Sequence, residues 1–250
     1  MSLQSNLSTR LRLLRIALTK RFVYGDLGDI MRDHGMGITD VCGDTEPFSL
    51  LAKLSPDRQP LLEFPTFDPT PFNRTDSAYT EGWSSEPSVS QFLGRLVHAK
   101  RARKVIELGC FTGWSTIHMA HGMQQAGTGH IHYLDYDQRF LDQTTANLRR
   151  LGLAELGTPL QGMSTSPDVL RQLPAEADVV FIDTSHEYQP TLEEIALYRA
   201  RLAPGGCLVL HDSLSAPGVR RAVRESLDRF HVHTFATERS NGLTVLLPRA

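Results

Sequence analysis

Two short apolar runs in the second half of the chain end in carboxylates, Phe181-Ile-Asp183 and Leu208-Val-Leu-His-Asp212. His186 follows the first by three residues, and His211 and Ser213 flank the second. Paired carboxylates can hold a divalent ion through hard oxygen donors, which suits magnesium, and a bound cation lowers the pKa of an acceptor hydroxyl. A histidine beside them is a proton acceptor near neutral pH without the burial a lysine needs, because its ordinary pKa is about 6.5.

A third locus is the glycine turn Glu107-Leu-Gly-Cys-Phe-Thr-Gly-Trp-Ser115, entered from the apolar run Lys104–Leu108. A dinucleotide fingerprint places a glycine where this chain has Phe111, so that a pyrophosphate can approach the backbone. The bulk of Phe111 disfavours a pyrophosphate and therefore a nicotinamide oxidoreductase. Asp135 closes the next apolar run and can accept both hydroxyls of a ribose. Adenosine without phosphates points to S-adenosylmethionine.

These residues need a scaffold that brings strand ends together. Strands are expected at 104–108, 130–135, 157–161, 177–183 and 206–211, with helices at 88–100, 114–126, 137–151, 166–173 and 188–202. Such alternation demands a parallel sheet with helices on both faces. A helix at 217–229, strands at 230–237 and 243–248 and the turn Ser240-Asn241-Gly242 add hairpin chemistry. The expected fold is α/β, doubly wound and Rossmann-like: a seven-stranded, mostly parallel sheet with a C-terminal antiparallel strand. Ligands of such sheets lie beyond the carboxyl ends of the strands, where Glu107, Asp135, Asp183 and Asp212 fall. Residues 88–250 are assigned to this domain and residues 1–87 to an N-terminal helical and irregular extension, whose Phe72, Tyr79 and Trp83 are candidates for an aromatic lid that excludes water.

The run Val105–Ser115 resembles motif I of class I S-adenosylmethionine-dependent methyltransferases, in particular the catechol O-methyltransferase-like branch. Phe181-Ile-Asp-Thr-Ser-His-Glu-Tyr188 with Leu202-Ala-Pro-Gly-Gly-Cys-Leu-Val-Leu-His-Asp212 is similar to methyltransferase family 24, bacterial small-molecule and sugar O-methyltransferases. The resemblance spans about 88–248 and implies cofactor contacts at Glu107, Gly109, Gly113 and Ser115 around the methionine and at Asp135 on the ribose. It implies adenine contacts in the turn Gly162-Met163-Ser164, and it places Asp183 at both the cofactor and the reaction. His186 occupies the place of the catechol enzymes' lysine base, so His186 and Asp183 are the catalytic candidates, a hydrogen bond to its own loop being the alternative for His186. By the same resemblance the metal ligands are Asp183, Asp212 and either position 211 or 213. His211 stands where sugar-modifying relatives have a carboxylate, which shifts preference from Mg2+ toward Mn2+, iron or zinc, or toward no metal.

The chain has 250 residues, 40% hydrophobic and 22% charged, with a net charge of −2. No basic field exists to hold nucleic acid. Five basic residues and no acidic one lie in residues 1–25, where Leu7, Leu11, Leu14, Leu18 and Phe22 form one helical stripe. This helix is expected to pack or to build a homo-oligomer, with membrane association or targeting as the competing uses. Cys42, Cys110 and Cys207 lack metal or redox spacing, consistent with a cytoplasmic protein. The pairs His118/His121, His130/His132 and His231/His233, and the charges Glu193, Glu194, Arg199 and Arg201, read as surface. The expected partner is a small hydroxylated acceptor of the sugar or natural-product class. N-methylation and a non-catalytic S-adenosylmethionine-binding module are the alternatives.

Overall fold

The computed structural model describes residues 47–55, 62–65, 67, 84–235, 237 and 241–249. Seven strands form one sheet: β1 (Lys104–Leu108), β2 (His130–Asp135), β3 (Gly157–Gln161), β4 (Ala177–Ile182), β5 (Leu202–His211), β6 (Phe230–Phe235) and β7 (Leu243–Pro248). Their order is β3-β2-β1-β4-β5-β7-β6. All pairings from β3 to β5 are parallel, and β7 runs antiparallel to both β5 and β6. The helices are α1 (Pro47–Leu54), α2 (Pro87–Lys100), α3 (Trp114–Ala126), α4 (Gln138–Arg150), α5 (Pro167–Gln172), α6 (Tyr188–Arg199) and α7 (Pro217–Arg224).

Alternation along the central strands feeds two cores. Val105, Phe181 and Val209 face α2 and α3 residues such as Leu93, Leu96 and Ile117, while Ile106, Val180 and Leu208 face Tyr198 and Val219 of α6 and α7. Helices on both faces explain why these strands are apolar throughout. From β1 the chain winds outward to β2 and β3 and then returns to β4 on the other side, so the order of winding, though not the strand direction, reverses between β1 and β4. That switch point opens a crevice beyond their carboxyl ends.

β5 begins four residues earlier than expected. Leu202 pairs with Ala177, the register then shifts, and Cys207 pairs with Val179. Pro204 and Gly205, expected to precede the strand, therefore lie with Gly206 at a register irregularity inside it. The last helix stops at Arg224 instead of 229. His118 is a further correction: it is buried, its Nδ1 lies 2.7 Å from the Trp114 carbonyl, and Phe64 and Phe67 of the preceding segment pack on its ring. Burial lowers its pKa to about 4, so it is neutral filling between that segment and α3. The expected basic N-terminal helix, Cys42, Phe72, Tyr79 and Trp83 lie outside the described residues. Among the described residues no helix is long and apolar enough to cross a membrane.

Candidate active site

The switch-point crevice has two halves. In the first, β1 ends at Glu107-Leu108 and turns through Gly109, whose φ of +83° is left-handed. A Cβ there would lie 2.1 Å from the carbonyl oxygen of Asp183, so glycine lets the β1 turn touch the end of β4. Phe111 is also left-handed at φ 47°, a conformation that costs a non-glycine residue about 1–3 kcal/mol unless its surroundings hold it. Three anchors do so. Its N–H donates to Asp135 Oδ2 at 3.1 Å, its carbonyl accepts the Thr144 hydroxyl at 3.0 Å, and its ring centroid lies 4.6 Å from that of Phe140.

Glu107 is wholly buried and accepts hydrogen bonds from the Ser115 hydroxyl and, at 2.6 Å, from Thr116. Burial raises its pKa to about 7 against the lowering effect of these hydroxyls. Asp135 holds its two oxygens on the N–H groups of Phe111 and Asp137, each with lone pairs remaining, and burial raises its pKa as well. Gly113 caps α3, and the turn Gly162–Ser164 starts where the Gly162 N–H donates to the Asp135 carbonyl. Tyr136 and Met163, on the turns after β2 and β3, are 64% and 63% exposed, leaving large apolar faces beside Asp135.

The second half is a chain of charges. His186 Nε2 lies 3.0 Å from Asp183 Oδ1 and 3.2 Å from Asp212 Oδ2. His211 Nδ1 lies 3.2 Å from both Asp183 Oδ2 and Asp212 Oδ2, and its Nε2 is 2.7 Å from Glu86 Oε2. Glu86 also accepts the Thr237 hydroxyl at 2.6 Å, and Asp212 accepts that of Ser215. Burial works against charge on His186, but Asp183 and Asp212 outweigh it and hold its pKa above the ordinary histidine value. His211 is raised further for the same reason, by Asp183, Asp212 and Glu86. Burial pushes the carboxyls of Asp183 and Glu86 up, yet the imidazoles beside them bring both below the ordinary range. His186 and Asp212 are left-handed, at φ 60° and 54°, so backbone strain gathers at this cluster.

The two histidines differ in access. The His186 side chain is 39% exposed and that of His211 only 4%. Among the described residues, the group able to converge on one metal ion is Asp183, His186 and Asp212, whose ligand atoms lie within 4.8 Å of one another. His211, expected as the third ligand, instead stands behind the carboxylates with Glu86 on its outer nitrogen. Ser213 is buried with its hydroxyl unbonded.

Glu86 was not legible as a site residue. Lying just before Pro87, it reads as a helix-start residue, yet its side chain makes no capping bond and crosses to His211, 125 positions away. Glu194 is a second correction. Expected at the surface, it is buried and accepts the Ser164 hydroxyl at 2.5 Å and the Thr184 hydroxyl at 2.8 Å. A single carboxylate within a helix carries no sequence signal that two distant hydroxyls will enclose it.

Comparison with known proteins agrees with this architecture. A methyltransferase-domain family model matches residues 106–213. A catechol O-methyltransferase of Niastella koreensis is 30% identical over 139 residues, covering 54% of this chain and 60% of the relative. One of Mycobacterium tuberculosis is 29% identical over 179 residues, covering 64% and 78%. The chain thus spans three-fifths of the first relative and over three-quarters of the second. The O-methyltransferase TomG of Streptomyces achromogenes, involved in tomaymycin synthesis and solved with S-adenosylmethionine, superposes with a TM-score of 0.60 at 19% identity over 83% of this chain and 91% of its own. A Bacillus cereus O-methyltransferase solved with S-adenosylhomocysteine gives 0.57 at 19% identity over 67% and 84%. The chain is thus similar, over the strands and turns that line the crevice, to a methyltransferase domain and to catechol O-methyltransferases, on a sheet shared with solved O-methyltransferase structures.

Proposed function

We propose that this protein transfers the methyl group of S-adenosylmethionine to a hydroxyl of a small polar acceptor, a sugar or polyhydroxylated natural product, with His186 receiving the acceptor's proton. The observation that carries the reading is the seating of His186 between two carboxylates, within reach of solvent, across a backbone contact from the glycine turn. The residues present fit the methyl donor. Asp135 keeps lone pairs for ribose hydroxyls, Tyr136 and Met163 offer apolar faces to a purine, and the N-terminus of α3 follows directly on the glycine turn, a position suited to a carboxylate. When bound, S-adenosylmethionine supplies an electrophilic methyl on a sulfonium. The protein's own task is to align the acceptor oxygen, take its proton at a His186 nitrogen and stabilise the resulting imidazolium with Asp183 and Asp212.

Calorimetric titration with S-adenosylmethionine and S-adenosylhomocysteine, in chelator and in magnesium or manganese, tests the donor half. Micromolar binding in chelator is expected, and absence of binding under all three conditions overturns the reading.

A second reading is favoured by the convergence of Asp183, His186 and Asp212. These residues would hold a divalent cation, and the nitrogen donor favours manganese, iron or zinc over magnesium. The set Asp183, His211 and Asp212 is its variant, with Glu86 orienting His211 from behind as carboxylates orient metal-bound histidines. The cation would polarise the acceptor hydroxyl, and His186 as its ligand could not be the base. Turnover that survives chelation but disappears in His186→Ala supports the base. Turnover lost on chelation and restored by manganese supports the ligand.

A further inference from the structure

The loop between β4 and α6 carries His186 in a left-handed conformation that does not hold itself. Its start is tied to the sheet, where the Asp183 N–H donates to the Leu108 carbonyl at 2.9 Å. Its end is tied to α6, where the Thr191 N–H and hydroxyl donate to the Glu187 carbonyl at 3.0 and 2.7 Å. Below it, a Cβ at Gly218 would lie 2.4 Å from the His186 carbonyl oxygen, so α7 presses on the loop backbone. Between these supports, the Thr184 side chain reaches inward to Glu194.

Glu194 holds two things. Its other oxygen accepts the hydroxyl of Ser164, in the turn after β3, and one helical turn further on the Tyr198 hydroxyl donates to the Ser164 carbonyl at 2.7 Å. Positions four apart share a helix face. One face of α6 therefore grips the β3 turn by side chain and backbone and grips the His186 loop by Thr184. The Glu194 carboxylate is buried, and burial raises its pKa against the lowering effect of the Ser164 and Thr184 hydroxyls and of the His186 charge; a group so costly to bury is held here by two hydroxyls from the two segments that flank the crevice.

We propose that Glu194 is a positioning residue for methyl transfer, fixing the His186 loop relative to the adenine turn so that the base and the donor keep one alignment. The inference rests on the readings of Gly162–Ser164 as the adenine turn and of His186 as the base. A misplacement of about 1 Å can cost on the order of a hundredfold in rate, so a single carboxylate shared by both segments matters to turnover.

The test separates its two arms. Thr184→Val removes one hydroxyl at nearly constant volume and is expected to lower kcat on the order of tenfold to a hundredfold with the S-adenosylhomocysteine Kd unchanged. Ser164→Ala is expected to raise that Kd and the donor KM about tenfold. Glu194→Ala should do both. Glu194→Gln should restore most of each loss, because an amide accepts from one hydroxyl and donates to the other. If Glu194→Ala fails to fold, the two hydroxyl variants decide alone. A Thr184→Val enzyme with the parent's kcat, or a Glu194→Ala enzyme altered in melting temperature alone, overturns the proposal. His186→Ala in the same assay keeps the failures apart. Full turnover there removes the base reading while the affinities of Ser164→Ala and Glu194→Ala still report the turn arm; lost turnover beside an unaffected Thr184→Val removes only the role of Glu194.

Discussion

Glu107 and Asp183 end adjacent parallel strands, both are largely removed from water, and their carboxyls move in opposite directions. Glu107 is raised by burial to about 7 even though two hydroxyls donate to it. Asp183 meets the same penalty, but His211 and His186 bring it below the ordinary range. Hydroxyl dipoles offset part of the cost of burying a charge, whereas neighbouring cations reverse it. The half of the crevice around Glu107 and Asp135 thus presents carboxyls held by hydroxyls and backbone N–H groups, which suits a ligand bringing its own positive charge. The half around Asp183 and Asp212 is a standing array of carboxylates and imidazoles in contact.

The comparison is broken most forcefully at His186. His186→Ala should lower turnover about 10²–10⁴-fold while S-adenosylhomocysteine affinity stays intact, and unaltered turnover would leave this residue as a loop support. Next is Glu86→Ala, which leaves His211 buried without its outer partner and should destabilise the fold by about 3–5 kcal/mol in denaturant titration. The same pair predicts a pH dependence. Because the carboxyls of Glu86 and Asp183 are depressed, their contribution to stability is present above the ordinary carboxylate range and is lost as pH falls through their lowered pKa values. A Glu86→Ala protein with an acid limb as steep as the parent's would count against this.

On the cofactor side, Asp135→Ala should weaken S-adenosylhomocysteine binding by about 1.5–3 kcal/mol, the cost of charge-assisted hydrogen bonds, and equal affinity would remove the ribose assignment. The smallest effect belongs to Glu107. With a pKa of about 7 it is partly protonated near neutral pH, and a donor ammonium nearby favours the carboxylate, so binding should release a fraction of a proton. Calorimetry at pH 7 in two buffers of different ionisation enthalpy reads this directly; identical binding enthalpies would place Glu107 away from the donor's charge.

The sheet was legible because periodicity and strand-end chemistry agree. β1, β2, β3, β7 and α3 fall where apolar runs and glycine turns put them. Phe111 was legible as a residue that closes the turn to a pyrophosphate, though not as one held left-handed by Asp135, Thr144 and Phe140. Boundaries failed where local chemistry pointed the wrong way, as at Pro204-Gly205-Gly206, whose turn residues lie at a register irregularity inside β5.

The amino-acid sequence by itself determined the order of strands and helices, the glycine turn, and the carboxylates at the strand ends, since each depends on neighbours a few positions apart. Tertiary structure alone decided the partners of the buried charges. Glu86 meets His211 and Thr237, and Glu194 meets Ser164 and Thr184, across separations that no local window spans. The physical reason is that a charge leaves water only where a complete set of donors awaits it, and that set exists only once the sheet has brought distant segments together.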